Sequence, residues 1–414
     1  MLETQIIFNE LFSKLCHCDT LTAMKCVVFT GGGTGGHIFP GLAVAEALSS
    51  SLECKIVWVG SSKGVDRKIV ESSELHSASP SVLEFKGIPA GKLRRYFSFQ
   101  NFIDVFKVAA GFIKSFFILL RLKPIFVFSK GGFVSVPPCA AAKVLKIPVI
   151  THECDFSPGL ATRINSKFAN HILVSYQETA DLFPLSIRSK VICTGNPVRL
   201  SFYSGSPEKG RAFLNIQQDL PVLFVLGGSL GARQLNDLIS DSIEYLVKHF
   251  VVVHQIGEAN MEQGQKIKEA LLNASPKFAE NYKPYPFIKK EMADVLSLSS
   301  IVVSRAGANT VWESAAAGKP MILVPLEKGS SRGDQIENAD FFKKKGAAEV
   351  LLGEDVRPDV FISLLREFGF EENGSGNDRL KSMAKASAAL AGEKPVLVIA
   401  DFLKSFIDFL RAKL

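Results

Sequence analysis

Five glycines fall within six residues in the stretch KCVVFTGGGTGGHIFPGLAVAEAL (25–48), and His37 follows them directly. A β-branched run leads in and a helix-like segment leads out, so the predicted order is strand, bare turn, helix. Glycine lacks a Cβ, which lets the backbone of such a turn approach a ligand closely. The helix start beyond it offers N–H groups and partial positive charge, a setting that favours phosphate. A second turn of the same kind stands in PVLFVLGGSLGARQLN (221–236). Neither turn ends in the Gly-Lys-Ser/Thr of a Walker loop. In addition, no acidic residue closes the strand KIVWVG (55–60), which argues against an ATPase and against a nicotinamide dinucleotide.

These turns need a scaffold, and the rest of the chain supplies it. Short β-branched runs at 25–30, 55–60, 125–130, 148–153 and 171–175 alternate with longer helical patterns. The alternation restarts after TGNPVR (194–199), with runs at 221–228, 250–257, 300–307 and 320–327. Strands alternating with helices imply open parallel sheets covered on both faces, so the fold class is α/β with two Rossmann-like, doubly wound domains facing across a cleft. A length of 414 residues suits two domains, and 47% apolar with 21% charged residues suits substantial cores rather than a disordered or fibrous chain.

Lysine and arginine exceed aspartate and glutamate by 48 to 41, a net +7 that fits an anionic partner without choosing one. Seven cysteines at irregular spacing read as a reducing compartment, not a disulfide framework. The Cys16-His17-Cys18 cluster has no second ligand pair to complete a metal site. No signal peptide opens the chain. A strand starts directly after Met24, so residues 1–23 read as an extension, disordered or arising from an upstream start codon. Recovering residues 1–23 intact by N-terminal sequencing of natively expressed protein would sink the start-codon version.

Seven motifs occur in order across 31–339: GGGTGGHIFPGLAVAEAL, SKGGFVSVP, HECDFSPGLATRIN, TGNPVR, LGGSLGARQLN, SRAGANTVWESAAAGKPMILVP and SRGDQIENA. Together they closely resemble the MurG family, the lipid-linked N-acetylglucosaminyltransferases of bacterial peptidoglycan synthesis (glycosyltransferase family 28), and the likeness runs from Met24 onward. The resemblance implies a GT-B fold, with an acceptor and membrane-facing domain at 24–198, a UDP-GlcNAc domain at 199–393 and a last helix, 394–414, crossing back to the first domain. It implies inverting transfer of GlcNAc from UDP-GlcNAc to the 4-hydroxyl of MurNAc in lipid I, giving lipid II. The place it implies is the cytoplasmic face of the bacterial inner membrane, with lipid I, an anionic leaflet and other cell-wall synthesis proteins as partners and no nucleic acid.

By the same resemblance, Phe287 and the Ile288 backbone meet uracil, and Glu313 accepts both ribose hydroxyls. Ala308, Asn309 and Thr310 at a helix start, with Arg199 and Ser229, meet the diphosphate. Arginine suits this because its planar fork stays charged and grips phosphate twice. Asp334, Gln335 and Asn338 read the GlcNAc hydroxyls; the family often has Gln-Gln where this chain has Asp334-Gln335, and an ionised Asp can only accept. Thr34, Gly35 and Gly36 reach the donor as well as the acceptor. The acceptor's diphosphate lies against Gly32, Gly33, Thr34, Gly35 and Gly36, with Lys130 and Gly131 nearby. His37 and Asp155 are the two candidates for the base that takes the proton of the incoming hydroxyl. His152 and Glu153 brace their loop, and Phe133 stands where several relatives have tyrosine. Glu313 also has a plain alternative role, complementing a helix dipole. No D-x-D motif is present, so no metal is assigned; Mg²⁺ on the diphosphate is compatible but required by no motif.

Residues 92–123 mix phenylalanines with Lys92, Arg94, Arg95, Lys107, Lys114, Arg121 and Lys123. Lysines interrupt the run well short of the ~20 apolar residues a spanning helix needs. Arg94, Arg95, Phe97 and Phe99 suit contact with anionic lipid, against the alternative of a buried helix with snorkelling basic residues. The rival functions are another GT-B enzyme, such as a diacylglycerol glycosyltransferase or a UDP-GlcNAc 2-epimerase, and a non-catalytic nucleotide-sugar-binding partner. The sequence leaves open which group is the base, the acceptor's peptide, the oligomeric state and metal dependence.

Overall fold

A computed structural model describes residues 26–91, 99–228, 231–327, 333–370 and 376–412, without the side chains of 99–103. The first sheet is built from β1 (Cys26–Thr30), β2 (Lys55–Ser61), β3 (Leu83–Ile88), β4 (Val127–Ser129), β5 (Val149–Glu153), β6 (His171–Val174) and β7 (Val191–Cys193). Its order is β3-β2-β1-β4-β5-β6-β7, every pair parallel. The second sheet uses β8 (Val222–Leu226), β9 (Val251–Gln255), β10 (Tyr282–Tyr285), β11 (Ile301–Ser304), β12 (Met321–Leu323) and β13 (Ala348–Val350). It repeats the plan as β10-β9-β8-β11-β12-β13, again all parallel. The helices that matter for the site are α1 (Gly35–Ser51), α2 (Phe99–Leu122), α3 (Leu160–Asn165), α4 (Arg233–His249), α5 (Ala308–Ala316), α6 (Asp334–Lys344), α7 (Asp378–Leu390) and α8 (Pro395–Ala412). The two doubly wound domains are the GT-B architecture expected from the sequence.

The strands read as continuous apolar runs because each is buried on both faces. Val27 and Phe29 of β1 enter one core while Val28 enters the core on the opposite face, as a period of two requires. In β8, Val222, Phe224 and Leu226 face one core and Leu223 and Val225 the other. Interior rings such as Trp58 and Phe29 are fully covered, and truncating one to alanine removes about 3–5 kcal/mol. The strands that the apolar runs do not announce, β3, β7, β10 and β13, are the sheet edges, where shorter and more polar segments are normal.

α8 returns to the first half. Val396, Ile399, Leu403 and Ile407 lie on one helical face and join the core that contains Val27 and Phe29. The two crossings between the halves pack on each other at Gly195 and Pro395. Gly195 has φ +77°, and a Cβ there would sit 2.5 Å from Pro395 Cγ, so only glycine fits.

In each half the sheet reverses direction of winding between its first and fourth strands, and the loops beyond those strand ends are where doubly wound folds place ligands. The glycine turns after β1 and β8, the loops after β4 and β5, and the start of α5 after β11 all lie there.

Candidate active site

The first glycine turn is pinned from below. Trp58 Nε1 donates to the Gly31 carbonyl at 3.2 Å. Gly33, at φ +87°, donates its N–H to Asp66 Oδ1 at 2.9 Å, and Asp66 Oδ2 accepts from Ser61 N at 2.8 Å. Asp66 is fully buried, and a Cβ on Gly32 would lie 2.0 Å from its carboxylate. Burial raises the Asp66 carboxyl above its ordinary range, while the Ser61 and Gly33 N–H groups pull it back. Within this turn, where a diphosphate was expected to lie, the Gly33 N–H already serves an internal carboxylate. Sequence reasoning missed Asp66, which opens a short helix (Asp66–Glu71) 33 residues from its partner.

What remains open to an anion is the start of α1. Thr34 caps it without a side-chain hydrogen bond, and its first turn holds no acidic residue. The starts of α4 and α5 share both features. By contrast, α7 is closed conventionally by Asn377, whose side chain accepts from Leu380 N, and carries Asp378 in its first turn. These three helix starts follow the two glycine turns and β11, where free N–H groups can meet a ligand.

His37 stands in the first turn of α1 with Nδ1 3.2 Å from the Lys130 carbonyl. Its ring rests on the turn after β4: a Cβ on Gly132 would come within 2.9 Å of the imidazole, and one on Gly131 within 3.6 Å. Both glycines have positive φ, a conformation that side chains rarely adopt. Gly131, expected at the acceptor, thus lies beside the His37 ring. Lys130, expected there too, is held from inside the fold. Its side chain is buried, with Nζ 2.8 Å from His152 Nδ1 and 2.6 Å from Cys154 Sγ. His152 is neutral, held well below its ordinary range by burial and then by Lys130, and its Nε2–H donates to the Gly195 carbonyl at 2.9 Å. Burial also pushes the Cys154 thiol up to about 11.

Glu153 braces the following loop, as expected. Its Oε1 accepts from Cys154 N and Asp155 N, and its Oε2 from Gly159 N just before α3. Asp155, half-buried, is thereby carried to the seam between the halves, where Asn338 Nδ2 donates to its Oδ1 at 3.1 Å. Asn338 also donates to the Ala306 carbonyl at 3.1 Å and accepts from Phe156 N at 2.9 Å and the Tyr176 hydroxyl at 3.3 Å. Trp312 Nε1 donates to the same hydroxyl at 3.0 Å. Asn338 is fully buried with its amide engaged on both sides, so here it joins the two halves. Gln335, on the same helix α6, accepts from Leu326 N at 3.0 Å; Asp334 opens that helix.

On the donor side, Ala308, Asn309 and Thr310 form the first turn of α5, with Glu313 one turn further in. Asn309 Nδ2 donates across the cleft to the Gly36 carbonyl at 3.0 Å, which sets the first turns of α1 and α5 against each other. Arg199 lies beside Glu313: burial pushes the Glu313 carboxyl up to about 7, and the guanidinium draws it down. These two line, with Phe39, Pro40, Asn196 and Asn309, a cavity of about 10 Å³, room for one water. Phe287 remains 38% exposed, available as an apolar wall. The Ile288 N–H, expected to read the base, donates instead to Gln255 Oε1 at 2.9 Å, so a pyrimidine edge must displace that amide or use the carbonyl alone. Ser229, Arg94, Arg95, Phe97 and the Phe99 side chain lie outside the described residues.

Residues 27–174 match the glycosyltransferase family 28 N-terminal domain, and residues 222–395 match the family's C-terminal domain. The chain is 91% identical over 383 residues to the UDP-N-acetylglucosamine–N-acetylmuramyl-(pentapeptide) pyrophosphoryl-undecaprenol N-acetylglucosamine transferase of Treponema denticola, covering 92% of this chain and 98% of that protein. It is 51% identical over 383 residues to the enzyme of the same description from Treponema pallidum subsp. pallidum, covering 92% and 96%. Among solved structures, the crystal structure of Acinetobacter baumannii MurG aligns with a TM-score of 0.67 and 25% identity, over 92% of this chain and 99% of that one.

Proposed function

The chain belongs to glycosyltransferase family 28, and from that membership we infer how its cleft works. It is an N-acetylglucosaminyltransferase of peptidoglycan synthesis, moving GlcNAc from UDP-GlcNAc to lipid I to form lipid II. The observation that carries the mechanism is the Asn309–Gly36 bond, because it sets the histidine-bearing turn of one half against the phosphate-type helix start of the other.

In this reading the MurNAc 4-hydroxyl loses its proton as its oxygen attacks the anomeric carbon from the face opposite UDP. The bond from that carbon to the diphosphate oxygen breaks, and UDP leaves with the electron pair. Arg199 and the first-turn N–H groups of α5 meet the charge that grows on the diphosphate. Glu313 takes the ribose hydroxyls, and Phe287 covers the uracil. His37, donating Nδ1–H to the Lys130 carbonyl, carries its lone pair on Nε2 and serves as the base. Asp155, held by Asn338, is the competing candidate. The donor enters between the halves beside Arg199 and Glu313, where closure of the two domains over it would exclude water.

The lipid acceptor requires the membrane surface, and α2 supports contact with it. Phe106, Ile113 and Phe117 form one exposed stripe on that helix, while Leu119 on another face is buried in the core. No helix among the described residues is long and apolar enough to cross a bilayer. Peripheral attachment at the cytoplasmic leaflet, through this stripe and the basic residues around it, fits the acceptor.

The test is transfer of radiolabelled GlcNAc to a short-chain lipid I analogue by wild type, His37→Ala and Asp155→Ala. A β-linked disaccharide is the expected product, and the base is the residue whose loss abolishes turnover while both substrates still bind. A folded protein that binds UDP-GlcNAc but makes no disaccharide would overturn the reading.

A further inference from the structure

Buried polar atoms without partners are uncommon in native proteins, and each one calls for an explanation. Around the cavity between the halves they converge. Neither Nδ2 nor Oδ1 of Asn196 finds a hydrogen-bond partner among the described residues, although the residue is 1% exposed. Arg199 Nε and Asn309 Oδ1, in the same cavity lining, are in the same condition. Among the described residues Asn196 alone has both ends of its amide unmet, and such a group is destabilising where it stands.

The backbone gives Asn196 no freedom to relieve this. Pro197 follows it and restricts its conformation to the extended region. On its other side, Gly195 packs on Pro395 and accepts through its carbonyl from His152 Nε2 at 2.9 Å. The amide is thus fixed at the crossing between the halves, next to the guanidinium of Arg199 and the carboxyl of Glu313. A carboxamide both donates and accepts, which matches a hydroxyl beside a phosphate oxygen.

We propose that Asn196 is a donor-binding residue whose buried carboxamide hydrogen-bonds the ribose–diphosphate portion of the UDP-sugar. The proposal rests on the transferase reading for the identity of the ligand and deepens it by a residue outside the glycine turns and α5. Binding UDP satisfies an amide that the protein leaves unmet, so affinity gains what the empty fold forgoes.

This produces a signature that a structural asparagine lacks. Asn196→Leu removes a polar group that holds nothing in place, so the melting temperature should stay level or rise, while the UDP Kd rises about tenfold, roughly one hydrogen bond's worth. Asn196→Asp keeps the shape but sets a carboxylate beside the diphosphate, and should weaken UDP by more than the leucine variant. Calorimetric titration with UDP and with UDP-GlcNAc, alongside thermal unfolding, reads both. An unchanged UDP Kd in both variants overturns the proposal, as does a leucine variant that melts several degrees lower and loses affinity only in proportion. The transfer assay on wild type judges the reaction separately. If wild type binds UDP but transfers nothing, the transferase reading falls and the titrations still decide on Asn196.

Discussion

The two glycine turns have the same local plan and different electrostatics. After β1, the turn closes over a buried carboxylate: Asp66 takes the N–H of Gly33, and its bulk excludes any side chain at Gly32. After β8, an amide takes the corresponding place. Gln255 Nε2 lies 3.4 Å from the Gly228 carbonyl, and nothing among the described residues stands within 4 Å of where a Gly228 side chain would be. Behind that turn, His254 bridges Asn236 and Tyr282, and burial holds its imidazole down to about 3, so this brace carries no charge either. A turn that already contains an anion is preorganised as a platform, here for His37. A turn without one keeps its positive potential for an incoming diphosphate. On the proposed mechanism, motif identity along the chain conceals a division of labour between aiming a base and holding a leaving group.

The largest expected effect breaks the first turn and spares the second. Asp66→Asn keeps the volume but replaces one accepting oxygen by an N–H donor facing the Gly33 or Ser61 N–H. With the turn unpinned, His37 shifts, and displacement of a reacting group by about 1 Å can lower turnover on the order of 100-fold. The expected result is kcat reduced about 10–100-fold with the UDP Kd within twofold of wild type, measured by transfer and titration on one preparation. Equal loss of donor affinity would mean that the two turns are not independent.

The same contrast explains what could be read from sequence. The central strands announce themselves because burial on both faces forces continuous apolar runs, and β1, β2, β5, β8, β9 and β11 fall where those runs predict. The edges β3, β7, β10 and β13 face one neighbour each, and β10 even contains Pro284, so their composition carries little signal. At the site, residues whose role depends on a local motif, such as His37, Asn309 and Glu313, come together at the cleft. Contacts that depend on a distant partner were illegible. Asp66 meets Gly33 from the start of another helix, and Asn338 meets Phe156 182 positions away. Nothing in an isolated amide tells whether a sugar or a facing domain will satisfy it.

A smaller effect tests the donor half through Glu313. Its carboxyl is raised to about 7 in the fold against 4.5 unperturbed, because burial disfavours the charge more than Arg199 favours it. Between those two values the folded protein binds more protons than the unfolded chain, so this group's contribution to stability falls as pH rises from 4.5 toward 7 and stays low above it. Donor binding should run the other way, since only the carboxylate accepts both ribose hydroxyls. The UDP Kd is expected to weaken up to about tenfold from pH 8 to pH 6, as ionisation drops through a midpoint near 7. Glu313→Gln should flatten that dependence and raise the melting temperature at pH 8. A Kd in wild type that does not vary with pH would remove Glu313 from the ribose.

The smallest effect concerns the seam that holds the two unlike halves together. The Tyr176 hydroxyl accepts from Trp312 Nε1 and donates to Asn338 Oδ1, while its ring packs between Phe156 of its own half and Phe341 of the other. Tyr176→Phe keeps the rings in place and removes only the hydroxyl, leaving the buried Trp312 N–H without that acceptor. Such a change lowers stability by about 1–3 kcal/mol. Because the lost bonds cross between the domains, the change should favour the open form, and UDP should associate faster in stopped-flow mixing while kcat falls less than in Asp66→Asn. The ordering of these two variants is the informative result. If Tyr176→Phe lowered kcat as far as Asp66→Asn, alignment of the halves, and not the internal carboxylate of one turn, would be the main source of the site's preorganisation.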